Sequence, residues 1–329
     1  MTHLKSKARR TAVWLGAAAL ALSFIAGPVQ AQKKFVLGAA YQGLSRPINV
    51  AGQDGARKGA KETGVELRET DAQDKFDKQL NDVQDLISQG VDGLLIWPAD
   101  SGAAIAFIRM AKNAGIPVIA VNTPFGTPDP ANPLKPADGL AGFVTWSDLD
   151  AGRFSAMSVN EHYAGTKKPI QIAVLEGRSG YVSVRLRREL FDKTLTELGL
   201  PFKVVGAQPG DWTQEKGEAV CQNFIAANPE LDAIYSMSDE MSVGCSRAVK
   251  AAGSKVKIFS VAGSAKGLDL IRSGDMISTV CHQPADNGYL AVKAMVDILK
   301  GGKWKTDVAT ISPSPRITKA NLADCVAQW

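Results

Sequence analysis

Histidine is nearly absent from this chain. Three occur in 329 residues, at positions 3, 162 and 282, and this scarcity narrows the chemistry available. His162 follows Glu161 late in a predicted helix and reads as a solvated or capping residue. Cys281 and His282 are adjacent on a predicted strand, so their side chains point to opposite faces and form no ready dyad. There is no HExxH, no GxSxG and no P-loop, and no cluster with metal-ligand spacing. Acidic residues are plentiful, with 33 Asp and Glu, so counting alone does not exclude a glycosidase-type carboxylate pair. None is placed as such a pair requires. The expectation is a protein that is not an enzyme and carries no cofactor and no metal; a secreted glycosidase is the rival that release of product from glycosides would reveal.

Long apolar runs are equally scarce. The principal one, from about residue 11 to 27, follows Lys5, Lys7, Arg9 and Arg10 and precedes Val29-Gln30-Ala31. It is short for a membrane span, lacks a stop-transfer pattern and ends in small residues at a peptidase's reading positions. Residues 1–31 are therefore expected to be a cleaved secretory signal. No Cys stands at the cleavage point, which argues against a lipoprotein. Beyond residue 31 the chain holds 34 Lys and Arg against 33 Asp and Glu, a net of +1. The basic balance is thus mostly a targeting effect, and no nucleic-acid or anionic-membrane partner is implied. A gene regulator is disfavoured as well, because the upstream segment reads as a signal and not as a helix-turn-helix. All four cysteines (Cys221, Cys245, Cys281, Cys325) lie in the exported part, where disulfides form. Among the three possible pairings, Cys221 with Cys245 is favoured, since both sit on successive predicted helices of one domain.

What is present is a repeated strand–helix alternation, clearest in residues 90–123. Leu94-Leu95-Ile96 is a continuous apolar run suited to a strand buried on both faces, stopped by Trp97-Pro98. Ser101 is placed to cap a helix with Ala104, Ile105, Ile108 and Ala111 on its apolar side. Gly115 and Pro117 end that helix, and Val118-Ile119-Ala120-Val121 is the next strand. Such a β-α-β unit makes parallel neighbours, with ligands expected beyond the carboxyl ends of the strands, here near Asn122-Thr123. The alternation runs in two series, 35–146 and 170–281, and implies two doubly wound α/β domains. Three connections, near 146–147, 282–283 and 312, would join them as a hinge. One lobe is assigned residues 32–146 plus 283–311, and the other 147–282 plus 312–329.

DGARKGAKETG (54–64), VQDLISQGVDGLLIWPADS (83–101), AGIPVIAVN (114–122), GDWTQEKG (210–217) and SDEMSVG (238–244) together resemble the ribose- and galactose-binding periplasmic proteins that deliver sugars to ATP-driven importers. The likeness covers nearly all of 33–328. It implies the periplasmic-binding-protein-like type I fold, with two lobes closing over one solute in the cleft, a periplasmic location and an inner-membrane ABC permease as partner. A chemoreceptor or sensor is a further partner that would read the same closed form, and the chain is expected to be a monomer. Arg185 matches a family arginine that donates to sugar hydroxyls, and Trp212 the aromatic that stacks on a sugar ring. Tyr41, Gln42, Arg46 and Asn49 stand where relatives use polar and stacking groups. Ser238 occupies a common Asn position, with Asp239 beside it read as a helix cap, and His282 stands at a hinge crossing. Tyr181 precedes Arg185 and would border the pocket. Three departures change the expected ligand. Asn122-Thr123 replaces an Asp-Arg or Asn-Lys type of pair, Ala262 replaces an acceptor Asp, and His282 replaces a neutral amide. Acceptors are lost while Arg46, Arg185 and His282 supply donors. The expectation is a sugar, polyol or cyclitol other than a simple ribose-like pentose, with an anionic sugar acid as the alternative.

Overall fold

The computed structural model describes residues 34–129, 131–304 and 309–329. The expected signal, 1–31, lies outside the described residues. The first series runs β1 (Val36–Tyr41), α1 (Pro47–Thr63), β2 (Glu66–Asp71), α2 (Phe76–Ser88), β3 (Gly93–Ile96), α3 (Ile105–Ala114), β4 (Val118–Val121) and β5 (Gly142–Thr145). The second runs α4 (Asp148–His162), β6 (Ile170–Glu176), α5 (Val182–Glu197), β7 (Phe202–Pro209), α6 (Gln214–Ala227), β8 (Ala233–Ser236) and α7 (Asp239–Ala251). It continues through β9 (Lys257–Phe259), α8 (Ala265–Ser273) and β10 (Ser278–Val280). The chain then returns as α9 (Pro284–Leu299), β11 (Thr310–Ile311) and β12 (Arg316–Thr318).

These elements build two six-stranded sheets, ordered β11-β5-β4-β3-β1-β2 and β12-β10-β9-β8-β6-β7. Every pairing is parallel except β12 against β10. The uninterrupted apolar runs of β3 and β4 are wholly buried because helices cover both faces. Alternate side chains divide between the two layers. Leu94 and Ile96 pack with α2 and α3 residues such as Leu86 and Phe107. Leu95 packs with Ala56, Val292 and Met295 on α1 and α9. Contact between α1 and α9 depends on missing side chains: a Cβ on Gly55 would overlap the Ala285 carbonyl, and one on Gly288 the Gly52 carbonyl. The second sheet has a single large core that includes Val174, Phe191, Tyr235 and Phe259.

The chain passes between the sheets after β5, after β10 and after β11. Both disulfides, Cys221–Cys245 and Cys281–Cys325, form within the second sheet's layers and tail. Two expected helix caps are corrected. Ser101 leaves its hydroxyl without a partner among the described residues, and α3 begins at Ile105 after a turn held by Asp100 Oδ1 accepting from the Ala103 amide. At α7 the cap is Ser238, whose Oγ accepts from the Met241 amide. Asp239 is instead buried, accepting from the Ser264 amide and the Thr279 hydroxyl; burial outweighs those bonds and pushes its pKa up to about 6.

Candidate ligand-binding cleft

A cavity of about 80 Å³ lies between the carboxyl ends of the strands of both sheets, where doubly wound folds place their sites. On the first-sheet side the β1–α1 loop contributes Gln42 and Arg46, and the first turn of α1 contributes Ile48 and Asn49. Asn49 donates to the Gly43 carbonyl and its Oδ1 accepts from Gln42 Nε2 at 3.1 Å, so the two amides brace the loop. Arg46 donates to Asp74 at 2.7 Å, while its Nε is buried without a partner among the described residues. Asn122 follows β4 with φ 66° and accepts from Asn287 Nδ2 at 2.9 Å. That bond couples the end of β4 to the first turn of α9.

The opposite wall is more strongly polar and aromatic. Arg187 is almost wholly buried. It donates from Nε to Asp148 Oδ1 at 2.8 Å and from Nη1 to the Met237 carbonyl at 2.6 Å, with Nη2 2.7 Å from the same carboxylate. Gly152 makes this geometry possible, because a Cβ there would collide with the Arg187 carbonyl and push α4 off α5. Trp212 sits in a turn where Asp211 and Trp212 both have positive φ (50° and 66°). Its ring meets Tyr181 edge to face at 6.3 Å, lies 5.8 Å from the Arg187 guanidinium carbon and passes over Gly177, where a Cβ would fill the same space. Its Nε1 is buried without a partner among the described residues. Ser238 and Glu240 complete this side, the latter accepting from Gln214 Nε2 at 2.7 Å.

At the crossing, His282 stacks on Trp146 with ring centroids 4.3 Å apart and planes 10° apart. Neither ring nitrogen has a partner among the described residues. Burial first, and then the Arg187 charge, push its pKa well below the ordinary 6.5. It is a neutral imidazole with one donor and one acceptor. Tyr181 reaches across the cleft, donating to the Ala99 carbonyl at 2.9 Å with Gln42 Oε1 3.3 Å away.

Two expected site residues are elsewhere. Tyr41 is the last residue of β1, and its side chain points into the core, against Trp97 at 4.5 Å and with its hydroxyl on Glu69. Strand alternation turns the next residue, Gln42, toward the cleft. Arg185 lies on the outer side of α5 in an ion pair with Glu189 at 2.9 Å. The arginine that lines the cavity is Arg187, two positions on and roughly 200° around the helix. Its sequence signal was present: Ser183, Arg187, Phe191 and Thr194 share one buried stripe at helical spacing, whereas Arg185 shares a face with Glu189. Trp146 and Asp148, at the β5–α4 crossing, were reachable by the same strand-end rule that singled out Asn122. Trp329 was not.

The family described as periplasmic binding protein domain matches residues 42–303. This chain belongs to that family. Its members are binding proteins that serve transport and not catalysis. This periplasmic binding protein is 30% identical over 279 residues to a ribose import binding protein of Bacillus subtilis, covering 84% of this chain and 86% of that one. Among solved structures it is similar to a Mycobacterium smegmatis protein in complex with β-D-fucofuranose (TM-score 0.80, 26% identity, covering 88% and 93% of the two chains). It is also similar to a Caulobacter myo-inositol binding protein bound to myo-inositol (TM-score 0.79, 25% identity, 91% and 98%).

Proposed function

We propose that this protein captures a neutral polyhydroxy solute, a furanose sugar, polyol or cyclitol, in the cleft and delivers it to an ABC importer. The observation that carries this reading is the charge balance of the cavity wall. Its two arginines are each matched at close range, Arg46 by Asp74 and Arg187 by Asp148, and Glu240 adds a further carboxylate. An anionic sugar acid would have to compete with those carboxylates and would meet Glu240. Hydroxyl groups suit the wall better, since each can accept from Arg46 Nε or the Trp212 indole and donate to a carboxylate or carbonyl. The Trp212 ring supplies an apolar face for a sugar or cyclitol ring. The ligands named for the relatives, ribose, fucofuranose and myo-inositol, belong to this class.

Function follows from closure. Groups from both lobes converge on one solute, so the ligand binds the closed form better and shifts the population toward it. Residues 32–146 with 283–311 act as one body and 147–282 with 312–329 as the other, bending at the three crossings. Residues 1–31 direct export and are removed, the mature monomer works in the periplasm, and the permease reads the closed outline. Isothermal titration with D-ribose, D-fucose, xylitol, myo-inositol and D-gluconate tests the reading. Binding of one or more neutral members, with gluconate at least tenfold weaker, is the expected result; tight gluconate binding with silence from the neutral series overturns it.

A further inference from the structure

The segment after β12 does more than finish the fold. From Lys319 to Asp324 it forms a short 3₁₀ turn and then runs extended from Cys325. Cys325 is 6% exposed, Val326 75% exposed, and Ala327 packs on the second core. Cys325 is bridged to Cys281, the residue immediately before His282 in the hinge crossing. Past this staple the segment makes bonds to elements of both sheets' layers. The Trp329 carbonyl accepts from the Ala265 amide at 2.9 Å, at the start of α8. Gln328 Oε1 accepts from the Ala285 amide at 2.7 Å and Gln328 Nε2 donates to Asp286 at 3.2 Å, both in the first turn of α9, a helix of the first layer. Trp329 lines the cleft, as do Ala262 and His282, and its Nε1 is buried without a partner among the described residues.

We infer that residues 325–329 are a strap that completes the ligand cleft: Trp329 is a ligand-contacting and specificity-determining residue, and the Cys281–Cys325 bridge positions it. The chemistry supports a contact role. An indole N–H buried at a polar site is a donor seeking an acceptor, and a hydroxyl of the proposed solute supplies one. Gln328 makes the strap sensitive to closure as well. It ties a segment stapled in the second layer to a helix of the first, and opening about the crossings separates its two anchor points.

This inference rests on the reading of the cleft as a solute site, and the test separates the two. With whichever of D-ribose, D-fucose, xylitol or myo-inositol binds the wild type, Trp329→Ala is expected to weaken affinity about tenfold or more. Trp329→Phe, which keeps a ring and removes the N–H, is expected to lose less and to change the order of preference within the series. The Cys281→Ser/Cys325→Ser double variant should lose affinity as Trp329→Ala does. A ligand-free measurement stands independently of the solute. Hydrogen exchange at the Ala265 and Ala285 amides should rise at least tenfold in the double variant, and at Ala285 alone in Gln328→Ala, with amides of β6 and β8 unchanged. Wild-type affinity in Trp329→Ala and Trp329→Phe overturns the contact role. Unchanged exchange at Ala265 and Ala285 overturns the strap. If no member of the series binds the wild type while exchange changes as expected, the function reading fails and the strap stands.

Discussion

The two lobes have the same strand order, and both bring helices together at glycines, Gly55 and Gly288 in one and Gly152 and Gly244 in the other, but they differ in their cross-links and in what the cleft wall carries. In the first, α1 and α9 press backbone to backbone through Gly52, Gly55 and Gly288, and the β1–α1 loop is braced by the neutral amides of Gln42 and Asn49. In the second, one disulfide joins α6 to α7 and the other joins the residue after β10 to the tail, and the cleft wall carries a buried ion pair, a strained Trp-bearing turn and a carboxylate. The difference follows from what each wall must hold. Neutral amides orient themselves with local bonds that cost little to make. A buried guanidinium and carboxylate are tolerated only in fixed mutual geometry, and the helices carrying them must not drift. Close packing of α4 on α5 at Gly152 supplies that rigidity on the side where charge is buried.

The sharpest way to break this contrast is Arg187→Ala. It leaves Asp148 buried without its counter-ion, and a loss of about 3–5 kcal/mol of stability is expected, together with loss of ligand binding; urea denaturation and titration read the two effects. Removing the Cys221–Cys245 bridge, whose partners are 24 residues apart, should cost about 3 kcal/mol. The loss should appear as loosened exchange in α6 and α7 with the first lobe unaffected. Trp212→Ala should weaken binding by about 2 kcal/mol, measured by titration, while thermal unfolding changes less than in Arg187→Ala.

His282 gives a pH-dependent term. Its pKa in the native state lies well below the ordinary 6.5, so the unfolded chain binds the proton first as the solution is acidified. The stability it contributes is whole above pH 6.5 and is lost as pH falls below it, by up to about 1.4 kcal/mol per pH unit until the native pKa is reached. His282→Gln should flatten that part of the profile of denaturation midpoint against pH. The smallest effect is expected at Arg185. Its pair with Glu189 is solvent-exposed, so Arg185→Ala should change stability by no more than about 0.5 kcal/mol and leave affinity unaltered. Loss of binding in that variant would return the site to the outer face of α5.

Reading the fold from sequence succeeded where local signals agree. Continuous apolar strands and helices ended by Gly115 or Gly64 depend on residues near one another in the chain. Cavity-lining residues were legible where a strand end left no choice of direction, as at Asn122, or where a turn carried a large aromatic, as at Trp212. Errors arose from rotation. Tyr41 and Gln42 differ by one step on a strand, and Arg185 and Arg187 by two on a helix. Tyr41 and Gln42 are both expected at the cleft and only Gln42 lines it, whereas at α5 the expected residue is Arg185 and the one that lines the cleft is Arg187. The strap was out of reach for another reason: nothing around Trp329 hints that it joins the wall of the cleft.

Pattern alone determined the alternation of strand and helix and the two-lobed architecture, because hydrophobic period and turn chemistry are local and every residue in a run reports on them; the family came from the resemblance of five motifs to known members. Tertiary structure decided which arginine enters the cleft, that its charge is cancelled by Asp148, and that a tail indole helps to line the wall. Those facts depend on helix rotation and on contacts between segments far apart in the chain, where burial and electrostatics act on three-dimensional neighbours.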